Sequence, residues 1–212
     1  MRVIAGSLKG RRLKTPTWEG LRPTSDKLRE TLFNVLTPRI PGARVVDAYA
    51  GTGALGIEAI SRGARFAAFI EDDPRAAALI AANLAHCGIE NVCAIIRAKV
   101  ARTLETLGQT AAFEPFDIVL LDPPYAPARR EPQGSIGDNL DDILRAAGGI
   151  LTATGVVVLE HARRVPGPGA AGALTRTRTV ESGDSALSLY ERHSTSSKAG
   201  VVTNEAGFVD TP

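Results

Sequence analysis

The sequence predicts an α/β protein built on a parallel, doubly wound sheet. Short apolar runs alternate along the chain with segments of helical periodicity, and this order favours parallel strands. A glycine-rich turn at 49–56 joins the first core strand to a helix, as in nucleotide-binding βα units. The apolar run 116–121 ends abruptly at Asp122-Pro123-Pro124-Tyr125, because two prolines cannot continue a sheet ladder. These observations place a carboxylate and an aromatic ring at the strand edge where such sheets bind ligands.

The individual elements are predicted from hydrophobic periodicity and from the capping residues, prolines and glycines that begin or end them. Predicted strands cover residues 43–48, 65–71, 92–96, 117–121, 155–160, 174–180 and 186–192, and predicted helices cover 25–36, 54–62, 74–86, 100–107 and 139–147. Thr24 or Ser25 can cap the first helix, which we expect to cover one edge of the sheet. The last two strands are joined by residues 181–184, a connection short enough for an antiparallel hairpin.

The chain divides into three segments. Residues 1–20 form a basic extension, predicted to be a β-hairpin with turns at Gly6 and Gly10. Residues 21–193 form the main domain, for which 212 residues and 44% hydrophobic content suffice. Residues 194–212 are polar and without periodicity, and we interpret them as a tail.

Composition restricts the function classes. The net charge is only +2, but basic residues outnumber acidic ones between Arg2 and Arg29, which indicates either a polyanion-binding surface or simply a solvated terminus. Cys87 and Cys93 have neither a C-x-x-C spacing nor a histidine cluster, which argues against a metal site. With no signal peptide and no apolar run near the roughly 20 residues of a membrane span, we expect a cytoplasmic protein, without a membrane partner and monomeric.

Two acidic positions flank the glycine turn. Asp47 ends the strand before it, where a carboxylate would repel a pyrophosphate but accept hydrogen bonds from an ammonium group. Glu71 ends the next strand, about twenty residues on, and a carboxylate at that position commonly binds ribose hydroxyls. Each has a plainer interpretation, since the glycine turn could be purely structural and 71–73 could be an exposed acidic strand end.

The Asp122 turn suits methylation of a ring amine. Such an amine is a poor nucleophile because its lone pair is delocalised into the ring. The Asp122 carboxylate and the Pro123 carbonyl can orient its hydrogens so that the lone pair aims at a methyl group, and Tyr125 can stack on the base. Chemistry of this kind needs neither a metal nor a covalent nucleophile.

These segments resemble the S-adenosylmethionine-dependent methyltransferases that act on exocyclic amines, and most closely the RsmD family, which methylates N2 of a guanine in 16S ribosomal RNA. The resemblance is carried by residues 2–13, 22–34, 47–56 and 121–125. It implies a class I methyltransferase (Rossmann-like) fold with a seven-stranded sheet whose last strand is antiparallel. It implies the catalytic motif Asp122, Pro123, Pro124 and Tyr125; the cofactor-binding residues Asp47, Ala50, Gly51, Thr52, Gly53, Glu71, Asp72 and Asp122; and the RNA-binding residues Lys9, Arg11, Arg12 and Arg22.

One position departs from the superfamily. Many members place Asp or Asn after the third strand to meet the adenine amine of the cofactor, whereas Lys99 stands near that position here and cannot accept a hydrogen bond. Two other functions remain open at this point. One is an adenine-N6 DNA methyltransferase, which the same turn would serve, and the other is a catalytically silent RNA-binding assembly factor of the small ribosomal subunit.

Overall fold

A computed structural model describes residues 1–18, 25–110, 114–123 and 139–193. Within them the strands are β1 (Arg44–Ala48), β2 (Phe66–Ile70), β3 (Cys93–Ile96), β4 (Phe116–Leu121), β5 (Leu151–Ala162), β6 (Ala170–Ala171), β7 (Leu174–Ser182) and β8 (Ser185–Arg192). The α-helices are α1 (Asp26–Leu36), α2 (Ala54–Ser61), α3 (Pro74–Cys87), α4 (Val100–Gln109) and α5 (Leu140–Gly149). This order confirms the predicted alternation of strands and helices.

One sheet joins all the described strands, in the order β3-β2-β1-β4-β5-β8-β7-β6. Strands β1 to β5 are parallel, and β8 runs antiparallel between β5 and β7. The sheet has eight strands rather than the expected seven, because the loop after β5 adds the two-residue strand β6 to the edge. The predicted fold class and the antiparallel final strand are confirmed.

Helices cover both faces of the sheet. On one face, α4 and α5 pack on the apolar side chains of the central strands, such as Val46, Val119 and Val157. On the other face, α1 and α2 pack against the alternate side chains, such as Ile118 and Val156, and α3 packs against Phe69 of β2. Helix α1 therefore lies across a face of the sheet instead of covering an edge. Its cap is Ser25, whose hydroxyl accepts a hydrogen bond from the Leu28 N–H.

The N-terminal segment forms a small hairpin, as predicted. Its pairing is a single antiparallel bridge between Arg2 and Arg12, with further backbone hydrogen bonds on either side of it. It is held on α2 by the buried Glu58, which accepts hydrogen bonds from the Ile4 and Ala5 N–H groups at 2.7 and 3.0 Å. The short pairing is stable in this position because α2 supplies the partners that the hairpin itself lacks.

Across the parts of the chain that the structure describes, no helix combines the length and the apolar character that crossing a membrane requires.

Candidate functional site

The carboxyl ends of β1, β2 and β4 bring three predicted acidic residues together. Ala48 is in register with Ile70 of β2 and Leu121 of β4. The residues that follow Ile70 and Leu121 are Glu71 and Asp122, and Asp47 precedes Ala48. Three acidic residues from three distant parts of the sequence therefore lie at one edge of the sheet, as the prediction required.

The turn after β1 has the backbone geometry of a ligand cradle. Gly51 and Gly53 have φ angles of 55° and 76°, a left-handed region that glycine enters without strain. Tyr49 also has a positive φ, 62°, which is unusual for a residue with a side chain. The Gly53 N–H donates to the Ala50 carbonyl at 2.7 Å, and α2 begins directly after Gly53. This tight turn directs the first N–H groups of α2 toward the sheet edge.

Asp47 lies beneath this turn and is only 1% exposed. Its Oδ2 atom accepts a hydrogen bond from the Gly56 N–H at 2.8 Å, which holds the first turn of α2 on the strand. The pKa of Asp47 is raised to about 8, chiefly by burial; the Gly56 hydrogen bond opposes the rise, and the nearby Asp122 and Glu71 carboxylates add to it. A site that crowds carboxylates in this way favours a cationic ligand.

Gly56 itself is required by packing. A Cβ atom at Gly56 would come within 2.4 Å of the Phe69 ring on β2. The third glycine of the G-x-G-x-x-G spacing thus allows close contact between α2 and the sheet, the role that this glycine has in dinucleotide-binding folds.

Glu71 connects the ends of β1 and β2. Its two carboxylate oxygens accept hydrogen bonds from the Gly51 N–H at 2.8 Å and the Asp73 N–H at 3.0 Å. Each oxygen can accept a second hydrogen bond, so the residue retains capacity for two hydroxyl donors. The next residue, Asp72, is exposed, whereas Asp73 caps α3 by accepting from the Arg75 N–H at 2.7 Å.

Asp122, the first residue of the proline turn, extends the pairing of β4 with β1 by one residue. The Asp122 N–H donates to the Ala48 carbonyl at 3.5 Å, and both Asp122 and Pro123 are half-buried. Asp47 is in register with Leu120 of β4, two residues before Asp122, and the Asp122 carboxylate contributes to the raised pKa of Asp47. Pro124 and Tyr125, which were predicted to complete the motif, lie outside the described residues, and so does Arg22.

The tip of the basic hairpin lies away from the three carboxylates. Gly6 and Ser7 pack on Ser61, the last residue of α2, so the tip of the hairpin lies roughly 12 Å along the helix from the glycine turn. Lys9 is exposed at this tip, and the Arg11 guanidinium donates to the His86 carbonyl near the end of α3 at 2.6 Å. Arg12 is also exposed, but it pairs with Arg2 at the opposite end of the hairpin, where Met1 contacts Thr52 of the glycine turn. The structure therefore places Lys9 and Arg11, among the predicted RNA-binding residues that it describes, away from the acidic site.

Arg29, part of the basic excess noted in the sequence, is fully buried rather than available to a polyanion. Its Nη2 atom donates to the Arg2 carbonyl at 2.8 Å and to Asp26 at 2.7 Å, which ties α1 to the hairpin.

Asn83 is a residue that sequence reasoning missed. It is fully buried on α3, donates from Nδ2 to the Thr52 carbonyl at 3.0 Å, and accepts from the Lys14 N–H at 2.8 Å. Asn83 thereby joins the glycine turn to the end of the N-terminal hairpin. The available signal was its position, because it is the one polar side chain on the buried stripe of α3.

A groove of about 690 Å³ lies at the opposite, amino-terminal edge of the sheet. Its charged side chains are engaged, since Arg39 pairs with Glu191 and Asp117 accepts from the Arg44 N–H. The acidic residues predicted from the sequence lie at the carboxyl edge of the sheet, so this groove is not the candidate site.

The residues that the structure describes include no group of histidine, cysteine and acidic side chains able to hold a metal ion. Cys87 is buried and Cys93 is half-buried, and both thiols are free. Burial raises the pKa of Cys87, and burial also raises that of Cys93, to about 12, so both are poor nucleophiles.

The comparisons with known proteins agree with this geometry. A family model described as "Conserved hypothetical protein 95" matches residues 1–191. A putative rRNA methyltransferase of Bacillus subtilis, YlbH, is 33% identical over 192 residues, which cover 91% of this chain and 99% of that protein. Ribosomal RNA small subunit methyltransferase D of Escherichia coli K12 is 42% identical over 125 residues, covering 59% of this chain and 60% of the relative.

A solved structure shows the same fold. The putative methyltransferase yhhF of Escherichia coli has a TM-score of 0.72 and 28% identity, covering 91% of this chain and 97% of its own. Because the family model spans the described domain and the Bacillus subtilis relative aligns over nearly its whole length, the chain belongs to the Conserved hypothetical protein 95 family, the RsmD family of methyltransferases.

Proposed function

We propose that this protein uses S-adenosyl-L-methionine to methylate the exocyclic N2 amine of a guanine in 16S ribosomal RNA of the small ribosomal subunit. The observation that carries the proposal is the convergence of Asp47, Glu71 and Asp122 at the carboxyl edge of the sheet. The names of the relatives, which include rRNA and small-subunit methyltransferases, support the RNA substrate.

The residues present fit the cofactor. S-adenosylmethionine carries an ammonium and a sulfonium group, and the crowded carboxylates around Asp47 favour positive charge. Glu71 can accept from ribose hydroxyls while it holds the Gly51 N–H. Ala50, Thr52 and Asp72 complete the proposed binding set around the glycine turn. When bound, the cofactor supplies an electrophilic methyl group.

The chain then has to make a weak nucleophile reactive. Asp122 and the Pro123 carbonyl accept hydrogen bonds from the two hydrogens of the guanine amine, which turns the nitrogen lone pair toward the methyl group. The ladder contact between Asp122 and Ala48 fixes the carboxylate relative to the glycine turn. Pro124 and Tyr125 complete the proposed motif, with the Tyr125 ring stacked on the base.

A structured RNA presents a base to such a site only if the base is unpaired or flipped out. Lys9, Arg11, Arg12 and Arg22 are the proposed phosphate contacts. Because the hairpin tip lies beyond the far end of α2, Lys9 would bind the RNA backbone away from the target base and position the substrate rather than read it. Arg12 lies at the other end of the hairpin and would bind phosphates closer to the glycine turn.

The test is the variant Asp122→Ala. We expect it to lower methyl transfer to 16S ribosomal RNA and small subunits at least 1000-fold, by roughly 4 kcal/mol in the transition state, because the amine loses its acceptor. Cofactor affinity, measured by calorimetry, should fall less than about tenfold, far less than turnover, because Asp47 and Glu71 remain in the proposed binding set. Near-normal turnover would refute the catalytic assignment. Mass analysis of ribosomal RNA from a deletion strain should show a missing N2-methylguanosine, and unchanged RNA would indicate a binding factor instead.

A further inference from the structure

One buried carboxylate beside the candidate site has no part in the chemistry described above. Glu160 lies near the carboxyl end of β5 and is 9% exposed. Its Oε1 atom accepts a hydrogen bond from the Ser185 hydroxyl at 3.3 Å, which positions the side chain from β8. Carboxylates are seldom buried, so one that lies near the edge where such sheets bind ligands is a candidate for contact with a ligand.

The strand register places Glu160 beside Asp122. Leu121 of β4 pairs with Leu159 of β5, and the next residues along these two parallel strands are Asp122 and Glu160. Neighbouring strands lie about 4.8 Å apart, so the two residues are adjacent across the sheet.

The two side chains also share a face of the sheet. Leu120 and Val158, two residues before Asp122 and Glu160, both pack in the core beneath α1. Because strand side chains alternate between faces, residues two positions further along project to the same face. Asp47 belongs to this face too, since Val45 packs in the same core. Glu160 therefore extends the row of carboxylates by one strand.

Guanine fits two adjacent carboxylates. Its Watson–Crick edge presents the N2 amine and the N1–H side by side, and both are donors. Adenine presents its N6 amine beside an unprotonated N1, whose lone pair a carboxylate would repel. A second acceptor beside the one that binds the amine would thus favour guanine, because it accepts a hydrogen bond from the N1–H. The same acceptor would disfavour adenine, because it repels the N1 lone pair.

We propose that Glu160 accepts a hydrogen bond from the N1–H of the target guanine while Asp122 accepts from the N2 amine, so that Glu160 determines specificity for guanine. This role rests on the proposed function. Glu160 would thus distinguish guanine from adenine, which the Asp-Pro-Pro-Tyr turn alone does not do.

The test compares guanosine with 2-aminopurine at the nucleotide first mapped by mass analysis. 2-Aminopurine keeps the exocyclic amine but lacks the N1–H. Each nucleoside is placed in 16S ribosomal RNA by ligation of a synthetic segment, and the RNA is assayed both free and reconstituted into subunits. Turnover is measured for the unaltered protein, Glu160→Gln and the control Glu181→Gln. A competition assay gives relative affinity for any variant too slow to assay.

The unaltered protein should prefer guanosine roughly 10- to 100-fold, the range expected for one hydrogen bond to a charged acceptor. Glu160→Gln should methylate guanosine about tenfold more slowly and discriminate less than about threefold, because its amide can donate to an unprotonated N1. Glu181 is exposed and pairs with Arg163, so its variant should behave like the unaltered protein.

Two results would overturn the proposal: an unaltered protein that does not discriminate, or a Glu160→Gln variant that discriminates as strongly as the unaltered protein. A loss that comes only from misfolding would lower cofactor affinity and thermal stability and leave the ratio unchanged, which also counts against the role. If the unaltered protein transfers no methyl group to guanosine in either substrate, the proposed function fails instead.

Discussion

Two buried carboxylates, Glu58 on α2 and Asp47 on β1, have opposite surroundings. Glu58 is fully buried and accepts hydrogen bonds from two hairpin N–H groups and from the Arg62 guanidinium at 2.7 Å. Asp47 is equally buried, but within the described part of the chain it accepts one hydrogen bond, from the Gly56 N–H, and has the Asp122 and Glu71 carboxylates nearby. The hairpin region surrounds its charge with donors, whereas the sheet edge places acids next to one another.

This difference distinguishes a carboxylate that stabilises the fold from one for which we propose a role in cofactor binding. Glu58 is satisfied within the fold, so removing it should affect stability and leave the chemistry of the edge alone. The acids at the edge are arranged at a cost to the unliganded fold, which is expected where a cationic ligand completes the set. The comparison can be tested on both sides.

The largest effect on stability is expected for Glu58→Ala. The free energy of unfolding should fall by about 4 kcal/mol, because the variant leaves the Ile4 and Ala5 N–H groups and the Arg62 charge without their acceptor. Denaturant unfolding measures this loss. Glu58→Gln, which keeps one acceptor oxygen, should lose less than half as much. A normal midpoint for Glu58→Ala would show that the hairpin does not depend on this anchor.

The next largest loss of stability is expected for Gly6→Ala. Gly6 has a φ of 83°, and a Cβ there would lie 1.8 Å from the Ser61 carbonyl oxygen, so we expect a loss of about 3 kcal/mol as the hairpin lifts from α2. Gly10 is the matched control, because it has a φ of 84° but no atom within 4 Å of the added Cβ. Gly10→Ala should lose only about 1 kcal/mol in thermal unfolding. Equal losses would mean that backbone strain, and not close packing, determines both.

Asp47→Asn should change how stability depends on pH. Folded Asp47 keeps its proton up to pH about 8, whereas the unfolded residue releases it near 3.8, so its contribution to stability is complete below pH 3.8 and is lost as the pH rises to 8. Relative to Asp47→Asn, the unliganded wild type should therefore lose about 2 kcal/mol between pH 6 and 7.5. Unfolding of both proteins across this range measures the difference, and parallel curves would contradict the raised pKa.

The smallest effects distinguish two neighbouring basic residues. Lys9→Ala should weaken RNA binding roughly threefold, with a reduced salt dependence and unchanged stability, because its ammonium group is exposed. Arg11→Ala should instead cost about 0.5 kcal/mol of stability, because Arg11 binds the His86 carbonyl. Binding titrations at several salt concentrations, together with thermal unfolding, would separate the two. A loss of stability for Lys9→Ala would remove it from the proposed RNA surface.

Much of the fold was predictable because its signals are local. The alternation of strand and helix, the glycine turn and the prolines after Leu121 are written in short stretches of sequence, and they predicted which strand ends carry Asp47, Glu71 and Asp122. Parallel strands then have to bring those ends to one edge. The additional strand β6 was missed because two residues carry no periodicity.

Other features depended on contacts between segments far apart in the sequence. Glu58 anchors the hairpin through Ala5, 53 residues away, and Asn83 binds the Thr52 carbonyl of the glycine turn, 31 residues away. Neither contact is marked by a local sequence motif. The same reason applies to Lys9 and Arg11: the family resemblance implied RNA contacts for both residues, but only the docking of the hairpin on α2 and α3 shows that they lie away from the acidic site.

The sequence alone determined the fold class, the order of the elements and the acidic and glycine residues of the candidate site, because strand ends and turns are defined by neighbouring residues. Only the tertiary structure decided which buried charges are satisfied, which face of the sheet Glu160 shares with Asp122, and where the basic hairpin lies. Those properties follow from strand register and from packing between distant segments, and a one-dimensional pattern does not contain them.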